Sequence, residues 1–258
     1  MSKAAVTVEE IEEAEMLSAR REFVASLTLL QEMLTRAPEV EMRMRILFDV
    51  VTCSTWLDRK EILNTAIQEL KRFPDYEVSN AFIVRTQATA LVDFGREQEA
   101  IELIDAFLGS AILQKKNFQD WKYEVLFLKG RALTGLARCD EALRVFDEAH
   151  SLCPEGRFET DILLDRSNCL LYLARYDEAY DAANQILTRG DEEKATLALQ
   201  YMAECRMWQS RVPEALKLYV DIRKRLPSKL VEEERIETGF KNALARLEKL
   251  HDRRDRPS

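Results

Sequence analysis

One block of residues constrains this chain more than any other feature. It runs Leu126-Phe127-Leu128-Lys129-Gly130-Arg131-Ala132-Leu133, then Asp140-Glu141-Ala142-Leu143, Phe146, Ala149 and Pro154. The small residue Ala142 has counterparts at Ser26, Ile62, Ala100, Ala179 and Ala215, so the six are separated by 36, 38, 42, 37 and 36 residues. A period in this range marks stacked supersecondary units, none of which buries its apolar face alone. The units are not strands. Seven glycines and six prolines in 258 residues are about 5% of the chain, against a usual figure near 12%, and strand-rich folds need many turn residues. The expectation is an all-α protein.

Gly130, Leu133, Ala142, Phe146, Ala149 and Pro154 stand where the tetratricopeptide repeat, a 34-residue helix–turn–helix, has its signature residues, and the chain resembles that family. The resemblance implies a right-handed α-solenoid of antiparallel helix pairs, about 13 helices in a single domain over 1–258. It places repeats near 7–40, 43–76, 81–114, 123–156, 160–193 and 196–229, a capping helix at 229–250 and a charged tail at 251–258.

Each repeat has a small site on its first helix (Ala14, Val50, Ala88, Gly130, Ser167, Ala203) and one on its second (Ser26, Ile62, Ala100, Ala142, Ala179, Ala215). Small side chains there let the two helices approach closely. Val50 and Ile62 together predict a splayed second pair. Pro38, Pro74, Pro154 and Pro227 are expected to stop second helices, because proline lacks an N–H and restricts the residue before it. Repeat 3 lacks that proline and runs into 114–120, read as a helix extension or a loop. The acids Glu9, Glu10, Glu12, Glu13 and Glu15 solvate one end of the stack, and Ile236, Phe240, Leu244 and Leu247 give the last helix an apolar face.

Composition narrows the function. A net charge of −8 opposes nucleic-acid binding as the main task, since phosphate contacts supply most of that affinity. No run of 18 apolar residues is present to span a membrane, and the first ten residues run into acids where a signal peptide needs its apolar core. Five cysteines without CxxC spacing fit reduced thiols in a cytoplasmic setting.

Catalytic constellations are missing from the pattern. His150 falls at a packing position and His251 in the tail, with no partner set for either. Gly130–Gly135 imitates the start of a P-loop, but Leu136-Ala137 stand where Lys and Ser or Thr are needed. Met16, Thr52, Ala90, Ala132, Cys169 and Cys205 share one repeat position, where Ala and Cys read as small buried fillers; a redox pair of Cys169 with Cys205 is the sharper alternative. Neither a cofactor, a metal, nor a small-molecule substrate is expected, and the chain reads as a non-enzyme.

What the resemblance offers instead is a concave wall formed by the first helices. Carried over by register, the partner-binding groove is expected at Arg85, Phe127, Arg131, Asn168, Tyr172, Glu204 and Trp208, with Met44, Leu47, Val51, Phe82, Thr89 and Asp93 completing the first half and Glu124, Asp161, Leu164, Gln200 and Met207 the second. The aromatics are anchors of the kind that dominate interface energy. The arginines suit a partner carboxylate, unless Glu124 or Asp161 takes them first. The set that holds chaperone C-terminal peptides is incomplete, with Leu164 and Tyr201 in place of its basic residue and asparagine. The expected function is a protein–protein interaction scaffold that grips a peptide or protein segment. The alternative is a regulatory or assembly subunit docking by its convex face or its C-terminal helix, which also offers a route to homo-oligomers.

Overall fold

The computed structural model describes residues 5–36, 39–73, 76–110, 119–153, 159–189, 192–225 and 238–246. Among these the regular structure is helical throughout. The chain divides into two compact units, Met1–Leu136 and Ala137–Ser258. The first holds α1 (Val8–Ala19), α2 (Phe23–Thr35), α3 (Val40–Trp56), α4 (Lys60–Leu70), α5 (Tyr76–Asp93), α6 (Glu97–Leu108) and α7 (Gln119–Gly135). The second holds α8 (Cys139–Leu152), α9 (Glu159–Tyr172), α10 (Tyr176–Thr188), α11 (Glu192–Trp208), α12 (Val212–Arg225) and α13 (238–246).

Within the first unit α1 packs on α2, α3 on α4 and α5 on α6, and the first helices also touch in succession, α1 with α3, α3 with α5 and α5 with α7. In the second unit α9 packs on α10 and α11 on α12, with α9 against α11. These are the stacked helix hairpins that the sequence period predicts.

A single backbone device makes the turns. Arg21, Asp58, Gly95, Ala137, Ala174 and Ser210 are left-handed, with φ between 51° and 69°. In five of these turns the next amide reaches back to close a six-residue loop: Glu22 to Leu17, Arg59 to Ser54, Arg96 to Leu91, Arg175 to Leu170 and Arg211 to Arg206, at 2.8–2.9 Å. The left-handed residue's own amide bonds three residues back, as in Arg21 to Ser18 and Ser210 to Met207. This is the Schellman termination, which satisfies the last carbonyls of the helix. Only Gly95 is the residue type that adopts this conformation freely; each of the others costs about 1 kcal/mol.

The turns fix the register of every hairpin, and they correct it in the second. Five residues past the left-handed position lie Ser26, Ala100, Ala142, Ala179 and Ala215, all fully buried. In the second hairpin the same count from Asp58 gives Leu63, not Ile62. Seven residues before it stands Val51, not Val50. α3 and α4 pack against each other as a hairpin, with Val51 fully buried and Leu63 half-buried at the two contact sites. Ile62 sits one step around the helix, lining an open cleft beside α2, while Ala66 is buried. With the register corrected, Cys53 joins Ala90, Ala132, Cys169 and Cys205 at one repeat position, every one of them buried. The Ala and Cys residues there are small buried fillers, while Met16 at the same position in the first hairpin is exposed.

A short motif starts four of the second helices. Arg96-x-x-Glu99, Arg138-x-x-Glu141, Arg175-x-x-Glu178 and Arg211-x-x-Glu214 each place a guanidinium on the carboxylate three residues on, at 2.6–2.7 Å. The arginine holds that acid in the first turn, where it complements the helix dipole. At the start of α1, Thr7 and Glu10 form a capping box, and Glu10 also receives Arg36 at 2.8 Å.

The four prolines, residues 114–118 of the 114–120 connection, Ile236, Leu247 and the 251–258 tail lie outside the described residues, while Gln119 and Asp120 open α7. Within α13, Ala243 rather than an expected large residue is fully buried, Phe240 is half-buried under Arg223 at 4.9 Å, and Leu244 is exposed. The helix therefore caps α11 and α12 through small residues, and its apolar stripe faces partly outward.

Candidate functional site

The first helices carry the expected groove residues, and each unit presents its own stretch of wall. In the first unit that wall is a ladder of paired charges between aromatic rings. Arg85 on α5 lies 5.4 Å from the ring centroids of both Phe82 and Trp121, and its Nη1 donates to Glu124 Oε2 at 3.0 Å. Tyr123 donates to the other oxygen of Glu124 at 3.3 Å, so a carboxylate only 9% exposed keeps two partners. Arg131 on α7 reaches Asp93 on α5 at 3.4 Å. Arg45 on α3 forks onto Glu15 on α1 at 2.5 and 2.6 Å.

Of the two readings open for these arginines, Arg85 follows the paired one, with Glu124 as the acid, and Arg131 is taken by Asp93 rather than Asp161. Both already hold an acid from the neighbouring first helix, and an incoming carboxylate has to displace it. Phe127 is partly buried. The register correction also removes Leu47 and Val51 from the wall, since both are buried, and puts Arg45, Phe48, Thr52 and Trp56 there. Phe48 meets Phe82 edge-on at 5.0 Å.

The second unit leaves more of its aromatic surface open. Tyr172 is 72% and Trp208 60% exposed, while Leu164 is buried and Asn168 half-buried. Asp161 takes Lys194 at 2.9 Å. On α11, Gln200 donates to Glu204 Oε1 at 3.0 Å and holds that side chain in place. Glu204, Met207 and Trp208, all expected from the register, line a cavity of about 600 Å³. Its far side is α13, through Thr238, Gly239, Asn242 and Arg246, and Tyr219 of α12 closes it.

Sequence reasoning missed α13 as a wall and missed a stacking relation at the turns. Trp208 lies parallel to Tyr176, with centroids 6.5 Å apart and planes 5° apart. Trp56 lies on Phe23 at 5.6 Å and 2°. In both pairs the partner residue is two places after one left-handed turn and the tryptophan two places before the next. Aromatics recurring at those two offsets were a readable signal.

The groups with strongly shifted acidity lie in the packing between helices. Burial and the nearby Glu15 carboxylate push Asp49 up to about 7 against the pull of Arg45, and its Oδ2 has no hydrogen-bond partner. Burial raises the Cys53 thiol, which contacts Ser26 Oγ at 3.3 Å, and raises Cys205 to about 12. None of the five cysteines is in a disulfide, and the Cys205 thiol pushed up is the reverse of an activated one, so the redox reading of Cys169 with Cys205 finds no chemical support. His150 is exposed rather than packed, 3.1 Å from Glu159, which also binds Arg189. Among the described residues no group of three or more His, Cys, Asp or Glu is placed to hold a metal ion, and no helix is long and apolar enough to cross a membrane.

No protein-family model matches the sequence. The curated proteins give no match either. Solved structures do match. A thermophilic TPR protein of Thermus thermophilus, TTC0263, is similar with a TM-score of 0.52 at 14% identity, over 92% of this chain and 98% of that one. PilF of Pseudomonas aeruginosa is similar with a TM-score of 0.60 at 11% identity, over 92% of this chain and 96% of that one. At such identities the likeness is one of fold.

Proposed function

From the premise that this chain folds as a tetratricopeptide-repeat solenoid, we propose that it is a non-enzymatic protein–protein interaction scaffold which grips an extended peptide or protein segment along the walls of its first helices. The carrying observation is the exposure of Tyr172 and Trp208 on that face, with Trp208 at the mouth of a cavity. Large aromatics left open beside a concavity are the anchors that protein interfaces bury. In the first unit, Phe127 and the paired arginines Arg85 and Arg131 supply polar and aromatic contacts without a loose charge. Asn168 offers its amide to a partner backbone, and Glu204 its carboxylate. The cytoplasmic setting and the reading of 1–258 as one binding domain belong to this proposal.

The test begins with a partner captured from native extract and identified, then titrated as a purified segment. The double variant Tyr172→Ala with Trp208→Ala should bind at least ten-fold more weakly with its melting temperature little changed. Undiminished affinity overturns the groove.

A second reading, docking by the outer face, rests on one feature. Between α2 and α4 an open cleft of about 350 Å³ has Leu34, Leu47, Val50 and Ile62 in its floor and Glu61 and Glu69 at its rim. A partner lost on Ile62→Glu and kept in the double aromatic variant would favour it.

A further inference from the structure

The first helix of each later hairpin turns one side toward the hairpin before it, as α3 does to α2, α7 to α6 and α9 to α8. Twelve residues before the left-handed turns, that side carries Ile46, Ile83, Val125, Ile162 and Ala198; five residues before them it carries Cys53, Ala90, Ala132, Cys169 and Cys205. All ten are buried. Eight residues before the turn, Lys129 on α7 reaches back to Asp105 on α6 at 2.5 Å, and Arg166 on α9 to Asp147 on α8 at 3.1 Å. On α1 the same three positions are Glu9, Glu13 and Met16, and all three are exposed, Met16 by 55%. Spaced four and three residues apart, they form one stripe. α1 thus carries the face by which a hairpin joins a stack, with two acids beside a flexible apolar side chain.

The charge of α1 has its complement late in the sequence. α1 holds Glu9, Glu10, Glu12, Glu13 and Glu15 and no base. Arg36 takes Glu10 and Arg45 takes Glu15, while among the described residues Glu9 and Glu13 form no ion pair. α12 and α13 carry Lys217, Arg223, Lys224, Arg225, Lys241 and Arg246 against Glu214 and Asp221. On α13, Lys241 and Leu244 are neighbours three residues apart, both are exposed, and neither lines the cavity shared with α11. This side of α13 is basic and apolar, and the α1 stripe matches it in both respects.

We propose that a second copy of this chain covers the open face of α1: the Glu9, Glu13 and Met16 stripe of one copy docks on Lys241 and Leu244 of α13 in the next. Opposite charges steer the approach, and apolar contact between Met16 and Leu244 holds it. The contact is head to tail, so each copy offers two different surfaces and copies add in series. None of the groove residues takes part, so this inference and the groove reading stand or fall separately.

Sedimentation velocity on the full chain tests it. In low salt the average mass should rise above that of one chain as concentration climbs from about 20 to about 500 μM, and should fall back in about 0.5 M NaCl, where exposed charges are screened. Glu13→Lys with Met16→Lys removes the head surface, and Lys241→Glu with Leu244→Glu removes the tail surface. Each double variant should remain a single chain at every concentration. Mixed in equal amounts they should associate again, because each supplies the surface that the other lacks. Melting temperatures close to wild type verify the fold of both, since all four substitutions are at exposed positions. Where the tail variant melts early, Lys241→Glu alone replaces it. A wild-type chain that stays single at the highest concentration, a head or tail variant that still associates as wild type does, or a mixture that does not associate overturns the proposal.

Discussion

Gly239 on α13 lies against the ring of Tyr219 on α12 so closely that a Cβ built on the glycine falls 2.7 Å from both Cζ and Oη. Tyr219 is 3% exposed. The contact therefore sets how near the capping helix comes. Gly239→Ala is expected to cost roughly 1–3 kcal/mol, the usual range for overpacking, and to loosen α13 first. Thermal melting together with limited proteolysis around 238–246 measures both effects. The contrast is Gly135, where an added Cβ meets the flexible side chain of Glu97, its Cγ at 2.7 Å and its Oε1 at 2.8 Å. That chain can swing aside, so Gly135→Ala should be neutral or stabilising by up to about 1 kcal/mol.

The corrected register of the second hairpin separates two neighbouring pairs of residues. Leu70 is fully buried, twelve residues past Asp58, where Met33, Phe107, Ala149, Ile186 and Ile222 stand after their own turns. A register built on Ile62 puts Glu69 in that slot. Leu70→Ala is expected to cost about 3 kcal/mol and Ile62→Ala less than about 1, since Ile62 lines an open cleft. Denaturant unfolding of the two variants decides it, and the reverse order would restore the register built on Ile62.

Why that one register slipped is physical. Five hairpins carry Ala or Ser at the second small site, but the second carries Leu63 beside Ile62, and neither looks like a spacer. The turns gave little help, because Gly95 alone among the six left-handed residues is a glycine. The fold was legible since the period and the small residues survive in the other hairpins. The wall positions on α9 and α11 were legible for the same reason. Legibility ended where a side chain depends on a neighbour distant in sequence: Arg85 and Glu124 lie 39 residues apart, and Gly239 reads as an ordinary helix weakness until Tyr219 is placed against it.

Asp49 makes stability depend on pH. Its folded value near 7 stands above the ordinary 3.8, so between those values the folded chain holds a proton that the unfolded chain has released. Stability from this group is full below about pH 4 and is lost as pH rises through about 7. The charges that act on it are Glu15 from α1 and Arg45 from its own helix, Arg45 being drawn in turn by Glu12 of α1, with the Cys53 thiol one turn on. Asp49→Asn cannot release the proton. Its melting temperature relative to wild type should climb between pH 4 and pH 7 and then level off. A difference independent of pH over that span would remove Asp49 as the titrating group.

Arg85 and Glu124 should behave as a unit. Removing the arginine leaves a carboxylate that is 9% exposed, with Tyr123 still donating to it. Arg85 itself is 36% exposed, so water relieves part of that loss. Arg85→Ala is expected to cost about 2 kcal/mol, toward the lower end of what an unpaired buried carboxylate brings. Glu124→Ala costs less, because the freed guanidinium stays over Phe82 and Trp121 and turns to solvent. In the double variant no buried charge is stranded, so its cost should fall short of the sum of the two by at least about 1 kcal/mol. Urea unfolding of the four proteins in the cycle measures the coupling. Strict additivity would mean that the pair does not act together, and Arg85 would then be available to a partner's carboxylate after all.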